Sequence, residues 1–123
     1  MLEIKIVTDS ALKKELCEKC SLKAAEGRNV MAATDKGEVI AYTVFTIDSA
    51  ALTLERVVPE SDPLMFDGMV RSTLHVAAER GLETAYYTDG VDETVLNRFR
   101  FIKEKEEKTL DIGILFADCC CKK

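Results

Sequence analysis

The sequence predicts a single α/β domain whose first half is an antiparallel sheet and whose second half crosses over around one long helix. Three observations carry this prediction. Short apolar runs separated by turn residues fill positions 29–58. One long apolar stripe at helical spacing is bounded by Asp62-Pro63 at its start and Gly81 at its end. The chain has 123 residues, enough for one core and too few for two domains.

Each element has its own signal. Leu2, Ile4 and Ile6 alternate with Glu3, Lys5 and Val7, the period of a strand. Asp9 or Ser10 caps the next segment. There Leu12, Leu16 and Cys20 recur at every fourth position, so residues 10–21 read as an amphipathic helix, with room for a further turn before Gly27. Asn29–Thr34 and Glu38–Ile47 flank an Asp35-Lys36-Gly37 turn, and the second of these runs is apolar on both faces. They form a hairpin whose second strand is central. Asp48-Ser49-Ala50 turns into a strand over 51–58.

Asp62 suits the N-cap and Pro63 the first position of the long helix. Its stripe is Phe66, Met69, Val70, Leu74, Ala77 and Ala78. Leu82–Thr88 reads as a strand and Asp92–Arg100 as a helix with Val95, Leu96 and Phe99 inward. Residues 101–106 and 109–116 close the chain as a strand pair. The order is β-α-β-β-β-α-β-α-β-β, without repeat or linker: one domain over 1–118 and a cysteine-rich tail over 119–123.

Composition excludes several classes. Seventeen Lys plus Arg against 22 Asp plus Glu leave a net charge of −5, which argues against a general nucleic-acid binder. Apolar residues at 47% and charged residues at 32% exclude a disordered chain. No apolar run reaches the ~18–20 residues that cross a bilayer. The alternating N-terminus lacks a signal peptide's apolar segment, so a cytoplasmic protein without membrane partner is expected. Five cysteines, an odd number, then read as reduced thiols and not as a disulfide framework.

The order of elements carries a family resemblance. The hairpin NVMAATDKGEVIAYTVF, the strand ALTLERVVPE, the helix ending AAERG, the strand LETAYYT and the short helix closing on RFRF follow one another. This resembles the GNAT superfamily of acyl-CoA N-acyltransferases. Its members show a hairpin, a strand ending V-x-P-E, a helix ending in a basic residue and Gly, a strand, and a helix closing on L-G-F. The resemblance implies a mixed, mostly antiparallel sheet of six to seven strands with helices on both faces. It also implies transfer of an acyl group from acetyl-CoA or another acyl-CoA to a small-molecule or peptide amine. Val57, Val58, Glu60, Ser61, Asp62, Leu64 and Met65 would then hold the cofactor, and Glu55 would be the base.

The motif content departs from the family. Its Q/R-x-x-G-x-G/A turn offers backbone N–H groups to a pyrophosphate at a helix N-terminus. Aligned back from Gly81, Ser61 stands at the basic position, and Leu64 and Phe66 stand at the glycines. Pro63 lacks an N–H, and Asp62 and Glu60 bring negative charge. The tyrosine acid of many members maps to Leu96, and the Gly of L-G-F maps to Arg100. Glu55 has a second reading, a surface or ion-paired strand carboxylate next to Arg56. The alternative function is accordingly a GNAT-folded binding module without acyl-CoA chemistry, working through a partner or as a homo-oligomer.

Cys17 and Cys20 form a C-x-x-C at the C-terminal end of a helix, where the dipole disfavours thiolate. They read as packing residues. Cys119, Cys120 and Cys121 stand together on the polar tail, either as exposed reactive thiols or as ligands of an unidentified metal shared with another cysteine pair or a second chain. His75, the one histidine, reads as a helix-flank residue.

Overall fold

The computed structural model describes residues 2–19, 28–59 and 61–113. Its elements are β1 (Leu2–Ile6), α1 (Ser10–Lys19), β2 (Arg28–Asp35), β3 (Glu38–Ile47), β4 (Leu52–Val58), α2 (Pro63–Glu79), β5 (Ala85–Tyr87), α3 (Glu93–Arg98), β6 (Ile102–Glu104) and β7 (Thr109–Leu110). The predicted order holds throughout. One seven-stranded sheet runs β1-β2-β3-β4-β5-β7-β6. Every neighbouring pair is antiparallel except β4 and β5, which the α2 crossover makes parallel.

Local chemistry sets the turns. Lys36 and Gly37 both take positive φ, 55° and 85°, the mirror-image turn that matches the twist of a hairpin. Asp62 caps α2 as expected: its carboxylate accepts the Met65 N–H at 3.2 Å, and Pro63 stands at the first position. Gly81, at φ 76°, ends α2 by letting Leu82 N–H reach the Ala77 carbonyl at 3.0 Å.

Helices flank both faces. On one, α2 and α3 bury Phe66, Met69, Val70, Leu74 and Leu96 against Met31, Ala33, Leu52, Leu54 and Tyr87. On the other, Leu16 and Cys17 of α1 meet Val30, Ala32, Tyr42 and Val44. Alternation along β2 separates the two sets, odd residues facing α2 and even residues facing α1. Each fully buried side chain of this size contributes about 1.5–3 kcal/mol. The two buried threonines satisfy each other: Thr43 and Thr73 hydroxyls lie 2.7 Å apart, and Thr73 also reaches the Met69 carbonyl at 2.9 Å.

The second half of the sheet is shorter than the sequence suggests. The strand expected over 82–88 is only Ala85–Tyr87. Leu82 belongs to the helix exit, and the Val91 N–H bonds the Thr88 carbonyl at 3.1 Å, turning the chain away after Tyr87. The strand expected from Thr109 to Phe116 ends at Leu110, because the Asp111 carboxylate draws the Gly113 N–H into a turn at 2.9 Å. Residues 114–116 lie outside the described residues. No helix among the described residues is long and apolar enough to cross a membrane.

Candidate functional site: the cleft between β4 and β5

The cleft comes from a length mismatch. Leu52, Thr53 and Leu54 of β4 pair with Ala85, Tyr86 and Tyr87 of β5. The Thr88 N–H makes one more bond, to the Leu54 carbonyl at 3.0 Å. Beyond it β4 continues to Val58, while the β5 chain turns off. A register shift between Val44 and Phe45 leaves Glu55 as an extra residue on β4, and such a bulge sharpens the local twist. Arg56, Val57 and Val58 therefore pair with β3 on one side and face the opening on the other. β4 then leads through Pro59 to the start of α2.

Glu55, Arg28, Arg56, Thr88 and Gly90 meet where the two strands part. Glu55 is ion-paired, and its partner is not the adjacent Arg56. Its carboxylate is held by Arg28, with Nε–Oε1 at 2.6 Å and Nη2–Oε2 at 3.2 Å. Both side chains are mostly buried, and the fork is bidentate. Strand geometry explains the choice, since Arg28 starts β2 and reaches across β3 on the α1 side.

Arg56 instead turns back on the main chain, its Nη1 donating to the Glu55 carbonyl at 2.8 Å. The Thr88 hydroxyl donates to the same oxygen at 3.2 Å and accepts the Gly90 N–H at 3.2 Å. The Arg56 guanidinium lies so close over Gly90 that a Cβ there would come within 1.6 Å of Nη1. Only glycine permits that approach. Among the described residues no carboxylate pairs with Arg56.

The α2 start offers an anion little. Pro63 has no N–H, Asp62 engages the Met65 N–H with its carboxylate, and the Asp62 carbonyl accepts the Phe66 N–H at 2.9 Å. At most the Leu64 N–H is left in this first turn. Phe66, at one glycine position of the family pattern, is fully buried in the core, and Leu64, at the other, projects into solvent with 80% of its surface exposed.

The β5 wall is braced by charge. Tyr87 donates its hydroxyl to Glu93 of α3 at 2.6 Å. Burial, reinforced by that carboxylate, pushes the phenol up to about 12, so it stays protonated at neutral pH and is no base. Glu93 is lowered by the same hydrogen bond. Lys108 pairs with Asp89 at 2.7 Å, which lowers Asp89 and raises Lys108, and its Nζ sits 5.3 Å from the Tyr87 ring centre.

After α3, Arg100 takes φ 64°, with Arg100 N–H bonding the Asn97 carbonyl and Phe101 N–H the Leu96 carbonyl, both at 3.0 Å. This is the left-handed helix exit, made by arginine where the family pattern has glycine.

The structure brings Glu55, Val57 and Val58 to the cleft and sets Ser61, Asp62, Leu64 and Met65 at the α2 N-terminus beyond it. Glu60, Cys20, Cys119, Cys120 and Cys121 lie outside the described residues. Cys17 is fully buried, His75 is exposed, and no cluster of potential metal ligands occurs among the described residues. Sequence reasoning missed Arg28, Arg56, Thr88, Gly90 and Tyr87. Gly90, the one glycine between β5 and α3, was the available signal for a close approach.

No protein-family model matches the sequence, and neither does any curated protein. Solved structures do. An E. coli N-acetyltransferase candidate, YhhK, determined in solution bound to coenzyme A, is 17% identical over 90% of this chain and 98% of its own, at a TM-score of 0.61. An acetyltransferase candidate from Exiguobacterium sp. 255-15 is 16% identical over 98% of this chain and 99% of its own, at a TM-score of 0.60. A GNAT family acetyltransferase from Elizabethkingia anophelis, with acetyl-CoA bound, is 11% identical over 70% of this chain and 63% of its own, at a TM-score of 0.51. The chain has the GNAT fold that its motif order implied.

Proposed function

We propose that the protein binds an acyl-CoA in the β4–β5 cleft and is an acyl-CoA-dependent N-acetyltransferase acting on an amine. The observation that carries this reading is the parallel β4–β5 pair that ends at Leu54 and Thr88 while β4 runs on through Val58. Among the described residues, three residues of extended backbone there have a partner strand on one side only. They can pair with the amide groups of a pantetheine arm as a strand would. Two similar structures hold coenzyme A or acetyl-CoA, which supports the same ligand class here.

When bound, an acyl-CoA supplies the thioester carbon that an amine nitrogen attacks. The chain's own residues orient and move protons. Val57 and Val58 present main chain to the arm, and the α2 N-terminus, with Ser61, Asp62, Leu64 and Met65, lies toward the phosphates. Its dipole favours negative charge, while Asp62 and Pro63 limit the donors it offers. Arg56 supplies the cation that the family turn takes from its basic residue. Glu55, aimed by Arg28, accepts the proton that an ammonium must lose before attack.

A second reading, a binding module that has lost this chemistry, is favoured by one observation: the Asp62 carboxylate already occupies the Met65 N–H. One titration separates the two. Thermal unfolding is followed with acetyl-CoA and with longer acyl-CoAs. Saturation about 100-fold above the dissociation constant adds roughly 2.7 kcal/mol, several degrees for a domain of this size. Binding with release of free thiol in the presence of amines establishes the transferase, whereas no shift with any acyl-CoA, or binding without thiol release, refutes the transferase and leaves the module.

A further inference from the structure

The strongest feature outside the cleft is the free edge of the sheet at β1. The sheet order leaves β1 outermost, and among the described residues it pairs with β2 alone. The Val7 N–H donates to the Val30 carbonyl at 2.8 Å, just past the last β1–β2 pair. In an antiparallel ladder the two sides of a strand alternate, so odd residues bond β2 and the even residues Leu2, Ile4 and Ile6 turn N–H and C=O outward. β1 has no proline and no bulge in its pairing, and its two charged side chains, Glu3 and Lys5, are opposite in sign and so do not repel a second copy in the reversed register. The other edge, β6, is only three residues long and pairs irregularly.

Beside this edge lies an open groove of about 520 Å³ between β1 and α2. Its floor is Ile4, Ile6 and Met31, and its far wall carries Arg71, His75 and Val76. Ile6 keeps 38% of its surface exposed.

We propose that β1 is the interface of a homodimer, pairing antiparallel with the β1 of a second copy across a two-fold axis at Ile4. The argument is self-complementarity. Leu-Glu-Ile-Lys-Ile reversed against itself sets Ile4 opposite the partner's Ile4 and Leu2 opposite the partner's Ile6. These are the residues whose main-chain groups face outward, so each pair exchanges both hydrogen bonds. The same register sets Glu3 opposite the partner's Lys5, and Lys5 opposite the partner's Glu3. Both side chains are solvent-exposed and lie 3.7 Å apart within one chain, on the face away from Ile4. The isologous contact thus adds two opposite-charge cross-strand pairs. On the other face Ile4 and Ile6 of both copies form one apolar strip, and the two grooves become a single channel between the α2 helices.

Charge reversal in trans tests this. Sedimentation velocity is run on the wild type, on Glu3→Lys, on Lys5→Glu and on an equimolar mixture of the two variants, with thermal unfolding as the folding control. The wild type is expected to dimerise. Each single variant replaces both attractive pairs with repulsive ones and weakens the dimer about tenfold. The mixture restores it as a heterodimer, which an effect on folding alone would not do. Should either variant fail to fold, hydrogen exchange on the wild type gives the second readout: protection of the Ile4 and Ile6 amides rises with protein concentration. A wild type that stays monomeric, a dimer indifferent to both reversals, or amide protection independent of concentration overturns the proposal.

Discussion

The two halves of the sheet are built differently. β1 to β4 run 5, 8, 10 and 7 residues, and each pairs antiparallel with its sequence neighbour. β5, β6 and β7 run only 3, 3 and 2 residues. The first half is held by a continuous main-chain ladder. The second is held in good part by side chains: Tyr87 on Glu93, Lys105 and Lys108 on Glu93 and Asp89, and Asp92 capping α3. The cleft lies at the seam, where a long strand outruns a short one. An opening in a sheet can thus arise from unequal strand lengths without any break in the fold.

Four substitutions probe that contrast. The largest effect is expected at the seam itself. Leu54 is fully buried and is the last β4 residue paired on both sides. Leu54→Ala should cost about 3–4 kcal/mol in denaturant unfolding, within the range for buried leucines. A loss near that of a surface site would mean that the two halves are not joined through this residue.

Next comes the Tyr87 brace. Its folded value near 12 stands above the unfolded value near 10, so its contribution is full below pH 10 and is lost as pH rises toward 12. Stability should fall over that window on account of this group. Tyr87→Phe should flatten that slope, and an unchanged profile would remove the phenol from the argument.

Gly90→Ala should cost about 1–3 kcal/mol by overpacking against Arg56. The double variant Arg56→Ala/Gly90→Ala should recover only the part due to the guanidinium, because a Cβ at residue 90 still lies 2.7 Å from the Glu55 carbonyl oxygen; simple additivity would show that the arginine contact does not matter.

The smallest effect runs the other way. Arg100→Gly should raise the melting temperature, because the left-handed conformation costs a non-glycine residue about 1 kcal/mol. A lowered melting temperature would show that the Arg100 side chain contributes more than its backbone strain removes.

Much of this was legible from local chemistry. The Asp35-Lys36-Gly37 turn, the Asp62 cap with Pro63, and the Gly81 stop are decided within a few residues by φ preference and by available donors. The element order followed from those punctuation marks and from the periods between them. The cleft was only partly legible. Glu55, Val57 and Val58 were named through the family pattern, whereas Arg28, the partner of Glu55, was not named at all.

The sequence by itself therefore determined the elements, their order and the capping of the long helix, because those depend on neighbours along the chain. Tertiary structure decided the pairing of Glu55 with Arg28, residues 27 positions apart, and the resting place of Arg56 over Gly90. These depend on a bulge, on the twist that it adds and on which strands lie side by side, and no short window of sequence records them.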